Sequence, residues 1–262
     1  MGKLDDLRTI LAGLPRAVVA YSGGVDSALL AEVAHQEAGA LAVTADSPSV
    51  PRRELAAATA LATGRGWRHR VVGTAELDDP RYAANPVDRC YHCKSALLDQ
   101  LAGLGSPVLM GTVVDDLGDW RPGQRAATER GARHPMVEAG LTKTDVREFS
   151  SQLGLPTAAK PASACLASRL AYRVPVTRSA LARVEQGEEY LDSLGFTVRR
   201  VRDLGGDAAR VEVGLEELPR MVPLAGRVTT ELLRLGFTSV RFEGYRRGAL
   251  NEGVTWPAAA ST

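Results

Sequence analysis

Three cysteines in 262 residues are too few, and odd in number, for a disulfide framework. No apolar run approaches the roughly 20 residues that cross a bilayer. Met1 leads into Lys3-Leu4-Asp5-Asp6 without the apolar stretch of a signal peptide. A cytoplasmic protein with no membrane partner is the expectation. Net charge is lacking as well, since 32 Lys+Arg stand against 31 Asp+Glu, so no basic field favours nucleic acid and none is expected as a partner. Lysine is scarce. Lys3, Lys94, Lys143 and Lys160 are the only ones, and every other basic residue is arginine. What is present, 45% hydrophobic and 24% charged residues, is ordinary for a globular chain with one or two domains.

Ala17–Tyr21 is a continuous apolar run of strand length that ends in glycines, the pattern of a parallel strand buried on both faces. Further strands read at Leu41–Ala45, Arg68–Val72 and Val108–Gly111, with helices at Leu4–Leu14, Ala28–Ala38, Arg53–Thr63 and Tyr91–Leu101. This alternation predicts an α/β fold, a doubly wound parallel sheet with helices on both faces. Asp78–Pro86 reads as a loop, and Asp115–Pro135 as a mobile or ligand-ordered one. Thr144–Leu153 reads as a helix, and Pro156–Arg173 as a connection between domains. Beyond it, helices at Arg178–Leu194 and Val228–Leu235 and strands at Thr197–Arg202, Ala209–Val213 and Ser239–Phe242 make a smaller C-terminal α+β domain. The expected division is 1–172 and 173–262, with Pro257–Thr262 a loose tail.

Ser22-Gly23-Gly24-Val25-Asp26-Ser27 falls where the first strand turns into a helix. The glycines admit an anion close to backbone N–H groups, Ser22 and Ser27 add hydroxyls, and the helix N-terminus adds positive potential. The string is neither a Walker A loop nor the dinucleotide G-x-G-x-x-G. An acid at position 26 of an anion cradle makes sense if Mg²⁺ bridges it to phosphates. The string resembles the PP-loop of the N-type ATP pyrophosphatases. That resemblance implies ATP cleavage between the α and β phosphates, with AMP and pyrophosphate as products, and places the adenosine near Thr44-Ala45-Asp46-Ser47.

Cys90-Tyr91-His92-Cys93 and Cys165 hold all the cysteines. Buried structural thiols, a zinc site completed by His92, and a dithiol redox pair are each compatible with them. Three thiolates also suit a [4Fe–4S] cluster with one iron lacking a protein ligand, on which a labile sulfide would serve as nucleophile. That reading uses every cysteine.

SGGVDS, NPVDRCYHCK (85–94), GTVVDDLGDWRPGQRAA (111–127), KPASACLASR (160–169), the stretch 198–213 and the late EGYRRG together resemble the LarE family over nearly the whole chain. The resemblance implies an ATP-dependent sulfur transferase that adenylates the carboxylates of pyridinium-3,5-biscarboxylic acid mononucleotide and converts them to thiocarboxylates, in nickel-pincer nucleotide biosynthesis. It implies a [4Fe–4S] cluster on Cys90, Cys93 and Cys165, or a sacrificial cysteine at position 165, and a sulfide or other sulfur donor. Asp26 and Lys94 join the cysteines as catalytic residues. ATP falls to Ser22, Gly23, Gly24, Asp26, Ser27, Asp46, Ser47 and Gly111, with Mg²⁺ on Asp26.

Arg200 and Arg202 share one face of a strand and, with Arg169 and Arg246, suit the phosphate of a mononucleotide. Glu188, Glu212 and Glu217 are candidates for a carboxylate metal site, and Asp115, Asp116 and Asp119 for Mg²⁺ or ribose contacts. The small domain is expected to bind substrate and to build a homo-oligomer. The competing readings are a tRNA thiolation enzyme of the same superfamily, an amide-forming NAD or GMP synthetase, and a zinc-stapled ATP-sensing regulator.

Overall fold

The computed structural model describes residues 2–14, 16–117, 122–246, 248 and 250. The α-helices are α1 (Lys3–Ala12), α2 (Val25–Ala38), α3 (Arg52–Gly64), α4 (Pro80–Ala83), α5 (Arg89–Ala102), α6 (Pro122–Glu129), α7 (Pro135–Glu138), α8 (Lys143–Gln152), α9 (Arg178–Ser193), α10 (Leu218–Met221) and α11 (Ala225–Arg234). The strands are β1 (Val18–Ala20), β2 (Leu41–Asp46), β3 (His69–Gly73), β4 (Val108–Leu109), β5 (Arg199–Asp203), β6 (Ala208–Val213) and β7 (Ser239–Gly244). The chain divides into two units. One holds residues up to Glu76 together with Cys90–Ser163, the other Leu77–Arg89 together with residues from Ala164 on.

In the first unit the four strands are all parallel, in the order β3-β2-β1-β4. Alternate residues feed two cores. Val19, Ala42 and Leu109 pack with α1, α2 and α8 on one face, while Val18, Ala20 and Val43 pack with Leu101 of α5 on the other. This two-sided burial is why β1 reads as an unbroken apolar run. β3 is one edge strand and exposes Arg70 and Val71. β1 lies between β2, to which it connects through α2, and β4, to which the chain returns later. The carboxyl end of β1 is thus at the topological switch point, where open α/β sheets bind ligands. α8 starts on a capping box: Thr142 Oγ1 accepts from the Asp145 N–H, and Asp145 Oδ2 accepts from the Thr142 N–H at 2.8 Å. A hydrogen bond from Lys3, then those from Thr142, hold the Asp145 pKa down to about 2.

In the second unit β5 and β6 are antiparallel and β6 and β7 parallel. Val184 and Leu191 of α9, Val201 of β5 and Val228 and Leu232 of α11 are buried there. A single cut between 172 and 173 does not describe this division. Asn85 explains why 77–89 belongs to the second unit: fully buried at φ 54°, it donates through its side-chain amide to the carbonyls of Ala171 and Val174, both at 2.8 Å. The Val176 N–H donates to the Ala83 carbonyl at 2.8 Å. The expected tail at Pro257–Thr262 lies outside the described residues. No described helix is long and apolar enough to cross a membrane.

Candidate active site

The loop between β1 and α2 closes on itself through serine. Ser27 Oγ accepts from the Ser22 N–H at 3.1 Å, lies 3.0 Å from Ser22 Oγ, and donates to the Gly24 carbonyl at 3.2 Å. Gly24 caps a 14-residue helix whose first N–H groups carry no side-chain cap, which leaves donors and a positive dipole end for an anion. Two glycines are required by geometry. Gly23 has φ +75°, and a Cβ on it would sit 2.8 Å from the Ala58 Cβ. A Cβ on Gly111, just after β4, would lie 3.0 Å from Ser27 N. Gly23→Ala is expected to cost about 2–4 kcal/mol from the left-handed conformation and the clash together. Chemical denaturation of the two proteins measures it.

Lys160 also holds the loop, donating to the Gly23 carbonyl at 2.9 Å and pairing with Glu54 of α3 at 2.7 Å. Tyr21 donates to the Ala58 carbonyl at 3.3 Å, and burial raises its pKa above the ordinary phenol value.

A cleft of about 540 Å³ opens over the carboxyl ends of β1, β2 and β4, a volume suited to a small-molecule site. Its walls include Ser22, Gly24, Asp26, Ser27, Thr44, Cys90, Lys94, Gly111, Asp116 and His134. Lys143 Nζ lies 2.7 Å from Asp26 Oδ2 and 3.2 Å from Asp116 Oδ2, so one ammonium bridges two carboxylates. Asp26 Oδ1 is buried without a hydrogen-bond partner. A carboxylate pair with an orphaned oxygen facing an anion cradle fits a divalent cation. Asp115 accepts from the Lys143 backbone N–H at 2.9 Å and so caps α8. Asp119 lies outside the described residues.

The sequence reading passed over two residues here. Lys143 reaches the cleft from the first turn of α8. His134, ahead of α7, lines the cleft with its Nδ1 buried and unpartnered, and burial lowers its pKa against the opposing pull of Glu138. The scarcity of lysine was the available signal, because Lys94, Lys143 and Lys160 all serve this loop or cleft.

Asp46 is exposed and pairs with Arg52 at 2.6 Å. Ser47 is buried, with its hydroxyl donating to Glu76. The cleft takes Thr44 and Ala45 from this segment rather than these two. Cys90 and Cys93 sit on the first turn of α5, three apart and so on one face. Cys165 caps the short turn Leu166–Arg169 of the second unit. Three thiols suit an iron–sulfur cluster in kind, but the α5 pair lies in the first unit and Cys165 in the second. Among the described residues no three His, Cys, Asp or Glu are grouped as a metal site.

In the second unit most candidate residues are paired with one another. Arg169, 1% exposed, forks onto Glu188 at 2.8 and 3.1 Å and donates to the Ala164 and Cys165 carbonyls. Arg202 binds Glu212 at 2.9 and 3.0 Å, and Arg210 takes the other Glu212 oxygen at 2.9 Å. Glu217 accepts from the Thr197 and Val198 N–H groups. These carboxylates therefore neutralise arginines and cap backbone, where a carboxylate metal site was expected. Arg169 and Arg202 likewise spend their charge inside the unit. Arg200 differs. Half-buried on β5, it has a pKa lowered first by desolvation and then by Arg169, against the pull of Glu188, lies 5.5 Å from the Tyr245 ring, donates to the Arg199 carbonyl at 2.6 Å and forms no ion pair among the described residues. Arg246 is exposed.

No family model matches the chain. An uncharacterized protein of the cyanobacterium Synechocystis sp. is 43% identical over 97% of this chain and 98% of its own length. The pyridinium-3,5-bisthiocarboxylic acid mononucleotide synthase of Lactiplantibacillus plantarum is 36% identical over 97% of this chain and 95% of its own. An uncharacterized protein of Methanocaldococcus jannaschii is 28% identical over 72% of this chain and 74% of its own.

Proposed function

The chain belongs to the family of the pyridinium-3,5-bisthiocarboxylic acid mononucleotide synthase, the LarE family, and from that premise we propose that it is an ATP-dependent sulfur transferase acting on the carboxylates of a pyridinium mononucleotide. The observation that carries this reading is the cleft at the carboxyl end of β1, where a serine- and glycine-lined anion cradle faces two carboxylates and an ammonium.

In this reading the α2 N-terminus, Ser22 and Ser27 hold the phosphates of ATP, and Asp26 with Asp116 would hold Mg²⁺, which draws charge from the departing pyrophosphate. The substrate carboxylate attacks the α-phosphorus. The bond to the β-phosphate oxygen breaks, and pyrophosphate leaves with its electron pair. Lys143 and Lys94 stabilise charge as it develops on the phosphoryl oxygens. A sulfide then attacks the acyl carbon and AMP departs, leaving the thiocarboxylate. Cys90, Cys93 and Cys165 would hold a [4Fe–4S] cluster, which supplies that sulfide. The substrate phosphate suits Arg200, a desolvated guanidinium that forms no ion pair among the described residues.

Iron and acid-labile sulfide per chain in anaerobically purified protein, beside Cys90→Ala, test the sulfur source. About four of each, lost in the variant, is the expected result for this ligand set. Zinc or no metal after anaerobic reconstitution, with loss of sulfur mass at Cys165 after turnover, would replace cluster delivery by a sacrificial cysteine. Release of ADP in place of AMP would remove the adenylation step itself.

A further inference from the structure

Lys160 is a buried-side support of the phosphate loop with no role in the chemistry above. It is also the end of a chain of contacts that starts on the protein surface. On α8, Arg147 donates through Nη1 to the Ala158 carbonyl at 2.6 Å and through Nη2 to the Lys160 carbonyl at 3.2 Å. These bonds fix the backbone of the segment that follows α8. From that segment the Lys160 ammonium donates to the Gly23 carbonyl at 2.9 Å, and Glu54 holds it from the other side at 2.7 Å.

The Gly23–Gly24 peptide is trans, and a trans peptide sets its C=O and its N–H on opposite sides of the chain. With the carbonyl of Gly23 drawn toward Lys160, the N–H of Gly24 is turned the other way. Gly24 is a cleft-lining residue, and glycine's freedom would otherwise let this peptide flip and present a carbonyl oxygen to an arriving anion. We propose that Lys160 is a positioning residue for the nucleotide: it fixes the Gly23–Gly24 peptide so that an N–H, and not a carbonyl, faces the phosphates, and Arg147 acts through it. The inference rests on the reading of the cleft as an ATP site.

The experiment compares binding of a non-hydrolysable Mg·ATP analogue and of inorganic pyrophosphate to the full chain by titration calorimetry, with ATP kinetics alongside. Lys160→Met is expected to weaken both ligands about tenfold or more. Its effect should fall on KM for ATP more than on kcat, and Lys160→Arg should recover part of it. Arg147→Met, outside the cleft, is expected to weaken both ligands by a smaller factor in the wild-type background and to add nothing to Lys160→Met. Unchanged affinity in Lys160→Met overturns the proposal, as does an Arg147 effect that adds in full to that of Lys160→Met. If Lys160→Met does not fold, Arg147→Met decides alone, and wild-type affinity in it overturns the proposal. A wild-type protein that binds neither ligand removes the ATP reading instead, so the two failures are distinct.

Discussion

Asp26→Asn is expected to lower pyrophosphate release from ATP by at least about 100-fold while leaving the thermal transition close to that of the wild type. Asparagine keeps the shape of the side chain and removes its charge. Asp26 is a quarter exposed and pairs with the Lys143 ammonium, which also holds Asp116, so little of the fold depends on it. The reaction loses much more. In the proposed ATP site the cradle would supply donors to the phosphates, but only a carboxylate would supply a hard anionic ligand for a divalent cation, and Asp26 carries a buried oxygen, Oδ1, with no hydrogen-bond partner. A pyrophosphate-release assay with circular dichroism on the same samples separates the two effects. Full activity in the variant would remove the loop between β1 and α2 from ATP cleavage.

The second large effect concerns stability. Glu188→Leu is expected to destabilise the second unit by about 3–5 kcal/mol, because it strands a guanidinium that is almost wholly buried. For a chain of this size that corresponds to a fall in Tm of roughly 6 °C or more. Arg169→Met alone should cost a similar amount by stranding the carboxylate. The double variant should recover part of either loss, since a buried pair replaced by apolar side chains leaves no uncompensated charge. A double variant worse than both single ones would show that Arg169 acts mainly through the Ala164 and Cys165 carbonyls that it also binds.

The parallel sheet was legible because its inner strands are buried on both faces, so β1 and β2 announce themselves as apolar runs. Helix α6 was not. Its sequence, PGQRAATE, is polar, and the residues it buries are Ala126 and Ala127, whose small side chains give no marked apolar stripe. The short helices α4 and α7 begin with proline and read as breaks in the chain. The loop between β1 and α2 was legible because all its parts are contiguous. Lys143 and Lys160 were not, since they reach Asp26 and Gly23 from 117 and 137 residues away. The arginines and glutamates of the second unit illustrate a different limit. Sequence shows that β5 turns Arg200 and Arg202 to one face, but only their surroundings reveal that Arg202 is already neutralised by Glu212 and that Arg200 is not.

The near absence of lysine has a chemical consequence. An acyl-adenylate is a potent acylating agent, and the nucleophile it most readily captures on a protein is an uncharged amine. This chain meets its basic needs almost entirely with arginine, whose guanidinium stays protonated and does not acylate. Of the four lysines, Lys3, Lys143 and Lys160 are each salt-bridged to a carboxylate. On the proposed adenylation chemistry, that composition would spare the protein from acylation by its own intermediate and leave sulfide as the nucleophile in reach.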